Sequence, residues 1–86
     1  MSKYMIFDVE SIGLHGEGFA VGWVVVNGDG NELEAGLLHC DPHTAFGTGR
    51  DREWVLENVP QFDKEFGYCD SPAVVRASFW YKWEQW

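Results

Sequence analysis

The stretch Tyr4-Met5-Ile6-Phe7-Asp8-Val9-Glu10 decides how this chain is read. It reads as a strand, ended by Ser11 and Gly13. Alternation along a strand sets Asp8 and Glu10 on one face, with Phe7 and Val9 on the other. Two carboxylates in an otherwise apolar strand are costly to bury unless they are paired, exposed or bound to metal. At this spacing their Cβ atoms lie ~6–7 Å apart. That suits a shared pair of divalent ions, which sit ~3.5–4 Å apart in two-metal phosphoryl-transfer sites. Oxygen ligands of this kind match Mg²⁺ or Mn²⁺.

Working outward, loop signals run through Gly16 and Gly18, and Phe19 to Val26 reads as a second strand. It is apolar on both faces, which predicts a strand sandwiched between layers. Asn27-Gly28-Asp29-Gly30 predicts a tight turn, because Asn, Asp and Gly tolerate positive φ. A third strand, about Glu32 to His39, then returns antiparallel. After Pro42 the pattern changes. His43 to Gly49 reads as loop, and Asp51 as the cap of a short helix through Asn58 with Trp54 and Val55 facing inward. Phe62 to Asp70 is irregular. Ser71-Pro72 opens a second helix, on which Val75, Phe79, Trp83 and Trp86 recur at helical spacing. The expected class is α/β: a three-stranded antiparallel meander plus two helices in a single domain over residues 1–86.

Composition bounds the function. The chain has 86 residues, 45% of them hydrophobic, with five Trp, which argues against disorder. A domain this small buries only ~60–65% of its unfolded surface. Fourteen acids against six Lys and Arg give a net charge of −8. That excludes a generally basic nucleic-acid binder and a polybasic membrane anchor. It leaves room for an acidic pocket whose bound metal ions reverse the local sign. Cys40 and Cys69 fit neither a disulfide framework nor a CxxC pair, and read as two reduced thiols. The first residues match neither a signal peptide nor a membrane span, so the expected location is cytoplasmic.

The run Ile6-Phe7-Asp8-Val9-Glu10-Ser11-Ile12-Gly13-Leu14, followed by a two-sided strand and a tight hairpin, resembles the opening of the DnaQ-like (DEDD) 3′–5′ exonucleases, members of the ribonuclease H-like superfamily. The resemblance covers roughly Met5 to Asp41. It implies a partial ribonuclease H-like fold in which Asp8 and Glu10 supply two of four acidic metal ligands. Asp8 would bridge both ions, and Glu10 would hold the ion that activates the attacking water. The substrate would be the 3′ end of a nucleic acid. The family's second acid pair has no match here; Asp63 in Gln61-Phe62-Asp63 lacks the context to be assigned. The expectation is therefore a truncated exonuclease-like domain with half a metal site, nearly inactive as an isolated monomer.

In the ribonuclease H-like fold the first strand is central. Without the later strands, its outer edge is free and apolar. The terminal helix also carries Trp80, Trp83 and Trp86 with little obvious cover. Both features predict a homo-oligomer, or a completing partner chain docked on that edge and helix. The rival class is a small acidic non-catalytic binding or inhibitor protein using its aromatic C-terminal helix against a basic partner.

Other constellations read as structural. His39-Cys40-Asp41-Pro42-His43, with Cys69, has zinc-type ligands at a spacing that matches no zinc pattern. His15 lies in a turn just after the acid pair. Gly16 and Gly18 precede a strand where a dinucleotide fingerprint needs a helix. Ser11, Ser71 and Ser78 lack a nucleophile elbow. Trp80, Tyr81, Trp83 and Trp86 could stack on bases, but Arg76 and Lys82 alone give thin electrostatic support, so these rings read as core or interface.

Overall fold

Three runs of strand-forming residues separated by glycine-rich turns build the sheet of the computed structural model, which describes residues 2–85. Lys3–Ser11 (β1), Gly18–Asn27 (β2) and Glu32–His39 (β3) pair antiparallel in the order β1-β2-β3. The turn between β2 and β3 forms as its residues dictate. Asn27 Oδ1 accepts the N–H groups of Asp29 and Asn31, each at 3.0 Å, and Gly30 takes a φ of +83°. A 3-10 turn (Pro42–Thr44) leads to helix Gly49–Asn58 (α1), and helix Pro72–Gln85 (α2) follows. The mixed meander-plus-helices architecture agrees with the class expected from sequence.

Both helices begin on hydroxyl caps. Thr48 Oγ1 accepts the Asp51 N–H at 3.1 Å and donates to Asp51 Oδ2 at 2.8 Å, a reciprocal cap. Asp51 therefore sits inside the first turn of α1 rather than capping it. Ser71 Oγ accepts the Val74 N–H at 3.3 Å, and Pro72 occupies the first helical position, where its missing N–H costs nothing.

Helix α2 lies on one face of the sheet. Register places Phe7, Trp23 and Gly36 in one cross-strand row. Above that row sits Phe79, its ring 5.2 Å from Phe7 and 5.9 Å from Trp23. The indole of Trp23 lies so close over Gly36 that a Cβ there would meet ring carbons at 2.3 Å. Val21, Trp23, Val25, Val75 and Phe79 form the centre of the core on this side, and Ile12, Phe19, Cys40 and Val55 continue it past the strand ends.

Among the described residues the opposite face has no matching layer. Its end is covered where Phe62 and Tyr68 pack their rings 5.3 and 5.7 Å from His39. Farther along, Val24 and Val26 are half-buried and Ala35 is exposed. So β2, expected to be sandwiched, is covered fully on one side alone. One aromatic expectation also changes: Trp54, expected to face inward, is 61% exposed, because α1 buries only Val55. Trp83 is 46% exposed at the flank of α2, in keeping with the thin cover expected of it. Trp86 lies outside the described residues.

Candidate functional site

Strand β1 ends the sheet, so its residues meet a neighbour on one side only. Asp8 stands opposite Gly22 and Glu10 opposite Ala20 on β2. In the next strand the same rows continue to Leu37 and His39. Asp8 and Glu10 therefore share a sheet face, as alternation requires, and rise over small residues that leave the space beside them open. Asp8 is exposed and Glu10 half-buried. Among the described residues neither carboxylate has a hydrogen-bond or ion-pair partner.

As donors these two suit a hard divalent cation such as Mg²⁺ or Mn²⁺, which takes oxygen ligands and commonly keeps only one or two protein carboxylates. The set is incomplete for a site built from this chain alone. Among the described residues no group of three or more His, Cys, Asp or Glu side chains is gathered closely enough to hold a metal. Asp63 is committed elsewhere: its carboxylate accepts the Glu65 N–H at 2.9 Å, and its carbonyl faces His39.

The zinc-type cluster is used for structure instead. His39 is 3% exposed, and its Nε2–H points at the carbonyls of Phe66 at 2.7 Å and Asp63 at 3.1 Å. A ring nitrogen that donates to carbonyls is not a metal ligand. The backbone of His39 makes a parallel bridge to Tyr68, with His39 N–H donating to Gly67 O and Cys69 N–H donating to His39 O. One residue thus ties the irregular 62–70 segment to the end of β3. Cys40 and Cys69 are free, buried thiols, and burial pushes both above the ordinary thiol range. His43 Nδ1–H donates to Asp41 Oδ1 at 2.9 Å, and the His43 N–H donates to the same oxygen; together they hold the Asp41 carboxyl below its usual range.

A cleft of about 190 Å³ opens beside this end of the sheet, walled by Phe19, Val55, Val59 and Phe62, with His43 and Lys64 among its lining. It is smaller than the ~300–1,000 Å³ of ordinary ligand pockets, and neither carboxylate of β1 lines it. The acid pair lies at the surface, outside this cleft.

Sequence reading missed one polar assembly. Glu17, in the β1–β2 loop, accepts the Phe46 N–H on Oε1 at 2.9 Å while its own N–H donates to Phe46 O at 2.7 Å. Its second oxygen accepts from Arg76 of α2. These contacts hold the Glu17 carboxyl below its ordinary value. They clamp the loop that follows the acid pair to α2, across a separation of 59 residues. No local signal pairs Glu17 with Arg76.

The exposed apolar residues gather at the free edge. Tyr4, Ile6, Phe7 and Val9 are 45–60% exposed along β1. Trp83 lies 6.3 Å from Phe7, and Trp80 lies 6.1 Å from Trp83, so the two indoles extend the same patch onto α2. No helix is long and apolar enough to cross a membrane among the described residues. Compared with protein families, curated proteins and solved structures, the chain matches none.

Proposed function

We propose that Asp8 and Glu10 form the first-strand half of a divalent-metal site in a nuclease of the DnaQ-like, ribonuclease H-like kind, acting at the 3′ end of a nucleic acid. The observation that carries this reading is the pair itself: two carboxylates without partners, on one face of a sheet-edge strand, opposite Gly22 and Ala20. Bound Mg²⁺ or Mn²⁺ would supply an activated water and neutralise the charge that develops on the phosphodiester. The chain's own contribution is positional. β1 holds both carboxylates at a fixed spacing, and the Glu17–Arg76 clamp anchors the loop that leaves their strand. Two carboxylates hold two ions weakly, so substrate phosphate or acids from another chain must complete the coordination, and the isolated monomer is nearly inactive.

The test is cleavage of 3′-labelled single-stranded DNA and RNA in Mn²⁺, with Asp8→Ala and Glu10→Ala beside the wild type, together with Mn²⁺ titration by calorimetry. Mn²⁺ binding lost in both variants supports the metal site, and cleavage lost in both supports the nuclease. Cleavage that survives either substitution overturns the reading. A second reading is a non-catalytic acidic protein that uses α2 against a basic partner, and the exposure of Trp80, Tyr81 and Trp83 favours it. It predicts no cleavage and an unchanged melting temperature on adding Mn²⁺.

A further inference from the structure

The free edge of β1 is an interaction surface independent of the acid pair, and its backbone groups are as much part of it as its side chains. A sheet edge presents a row of N–H and C=O groups that another strand can complete. The two edges of this sheet differ. On β3, Glu32 and Glu34 place charge along the strand, Lys82 of α2 reaches over to Glu34 at 3.0 Å, and the 67–69 segment bonds to its far end. On β1, the run Tyr4-Met5-Ile6-Phe7 carries no charge, and among the described residues no strand pairs with its outer side.

We propose that a second copy of this chain pairs there, β1 to β1 in antiparallel fashion about a two-fold axis near Ile6, giving one continuous six-stranded sheet. Three observations commit the edge to this occupant. First, the strand carries its acids, Asp8 and Glu10, at one end only. Antiparallel pairing about Ile6 sets Asp8 of each copy against the partner's uncharged Tyr4 end. It also holds the two Asp8 residues ~13 Å apart along the strands, whereas in-register parallel pairing would oppose them directly. Second, a two-fold operator perpendicular to the sheet keeps like faces together. The α2 helices then share one side, with Trp80 and Trp83 flanking the junction. Third, the area suffices. Trp80, Trp83, Tyr4 and Phe7 are each about half exposed. At roughly 200 Å² per aromatic side chain, and with Ile6 and Val9 added, the patch is on the order of 600 Å² per copy. Two such patches reach the lower bound of ~1,200 Å² for a specific stable interface, before the paired backbone is counted. The net charge of −8 on each copy opposes association, so pairing strengthens as salt screens it.

Sedimentation equilibrium at about 50 μM, in low and in roughly 0.5 M salt, tests the proposal. The expected mass is twice the 9.8 kDa protomer, with tighter association at high salt. Ile6→Lys and Val9→Lys, both on the edge, should each weaken dimerisation at least tenfold. Leu33→Lys, on the opposite edge strand, should leave it unchanged. Circular dichroism confirms that each variant is folded, and if one edge variant fails to fold, the other reads the edge. A wild-type monomer at both salt concentrations overturns the proposal, as does an oligomer that resists a folded edge variant. So does an assembly larger than a dimer, since a closed two-fold pairing uses up the edge.

Discussion

Replacing Glu17 by Gln tests the clamp that joins the β1–β2 loop to α2. Gln keeps the shape and still accepts the Phe46 N–H, but loses the charge that engages Arg76. The Glu17 side chain is 25% exposed and that of Arg76 52%, so water screens the ion pair and its share is ~0.2–1 kcal/mol. The Phe46 N–H bond changes from charge-assisted to neutral, which forfeits about half its strength, a few tenths of a kcal/mol at a wet site. The total is about 1 kcal/mol, which for a domain of this size lowers the melting temperature by about 4–8 °C. The pH dependence follows from the direction of the shift. The folded state holds Glu17 below its ordinary value of 4.5, so it stabilises the fold fully above that pH. The contribution is lost as pH falls through the folded-state value. Melting curves of wild type and Glu17→Gln should therefore be separated at pH 7 and converge as pH falls through the folded-state value. A gap that stays constant throughout acid titration of the folded protein, or no gap at pH 7, refutes the clamp as a source of stability.

Gly36→Ala should destabilise by about 1–3 kcal/mol, because the new methyl enters the space of the buried Trp23 ring; denaturant melts followed by tryptophan emission check it. His39→Leu should also cost about 1–3 kcal/mol, by removing the donor that serves the Phe66 and Asp63 carbonyls. Its signature is faster proteolysis within residues 62–70 at a temperature where the sheet remains folded. Cys40 and Cys69 should react with a thiol reagent at pH 8 far more slowly than a free thiol, and recover full reactivity in denaturant, since burial keeps both protonated.

The sheet is legible in the sequence because its determinants are local. Period-two alternation fixes the faces of β1, and Asn27 with Gly30 fixes the hairpin, so three strands and the shared face of Asp8 and Glu10 follow without knowledge of the rest. The helices are legible in existence but less so in contact. Thr48 and Asp51 are both good caps, and only the reciprocal bond between them settles which one precedes the helix. Trp54 looks like a core residue by type, yet α1 touches the core through Val55 alone. What β2 packs against was not legible at all. Its two apolar faces predict two layers, but whether a second layer exists depends on residues far along the chain, and among the described residues only the 62–70 segment reaches that face. Glu17 with Arg76 fails for the same reason: ion pairs over long separations leave no periodic trace.

The acid pair and the free edge belong to one strand, yet they use different parts of it, and this makes them separable. The proposed edge pairing would consume backbone groups in the plane of the sheet, whereas the proposed metal binding would use carboxylates rising from one face. Val9 stands on the α2 face, opposite to Asp8 and Glu10, while Ile6 shares their face two residues from Asp8. A lysine at Ile6 would set its Cβ ~6–7 Å from that of Asp8, on the same face, so its ammonium could reach the carboxylate and weaken a cation there whatever the oligomeric state. Val9→Lys carries no such complication. It should dissociate the dimer and leave Mn²⁺ affinity within about twofold of wild type, a change of ~0.4 kcal/mol or less. Asp8→Ala should do the reverse, losing the metal while the dimer persists. If Val9→Lys abolishes Mn²⁺ binding in a folded monomer, the two features are not independent, and the second copy supplies ligands to the site that β1 begins.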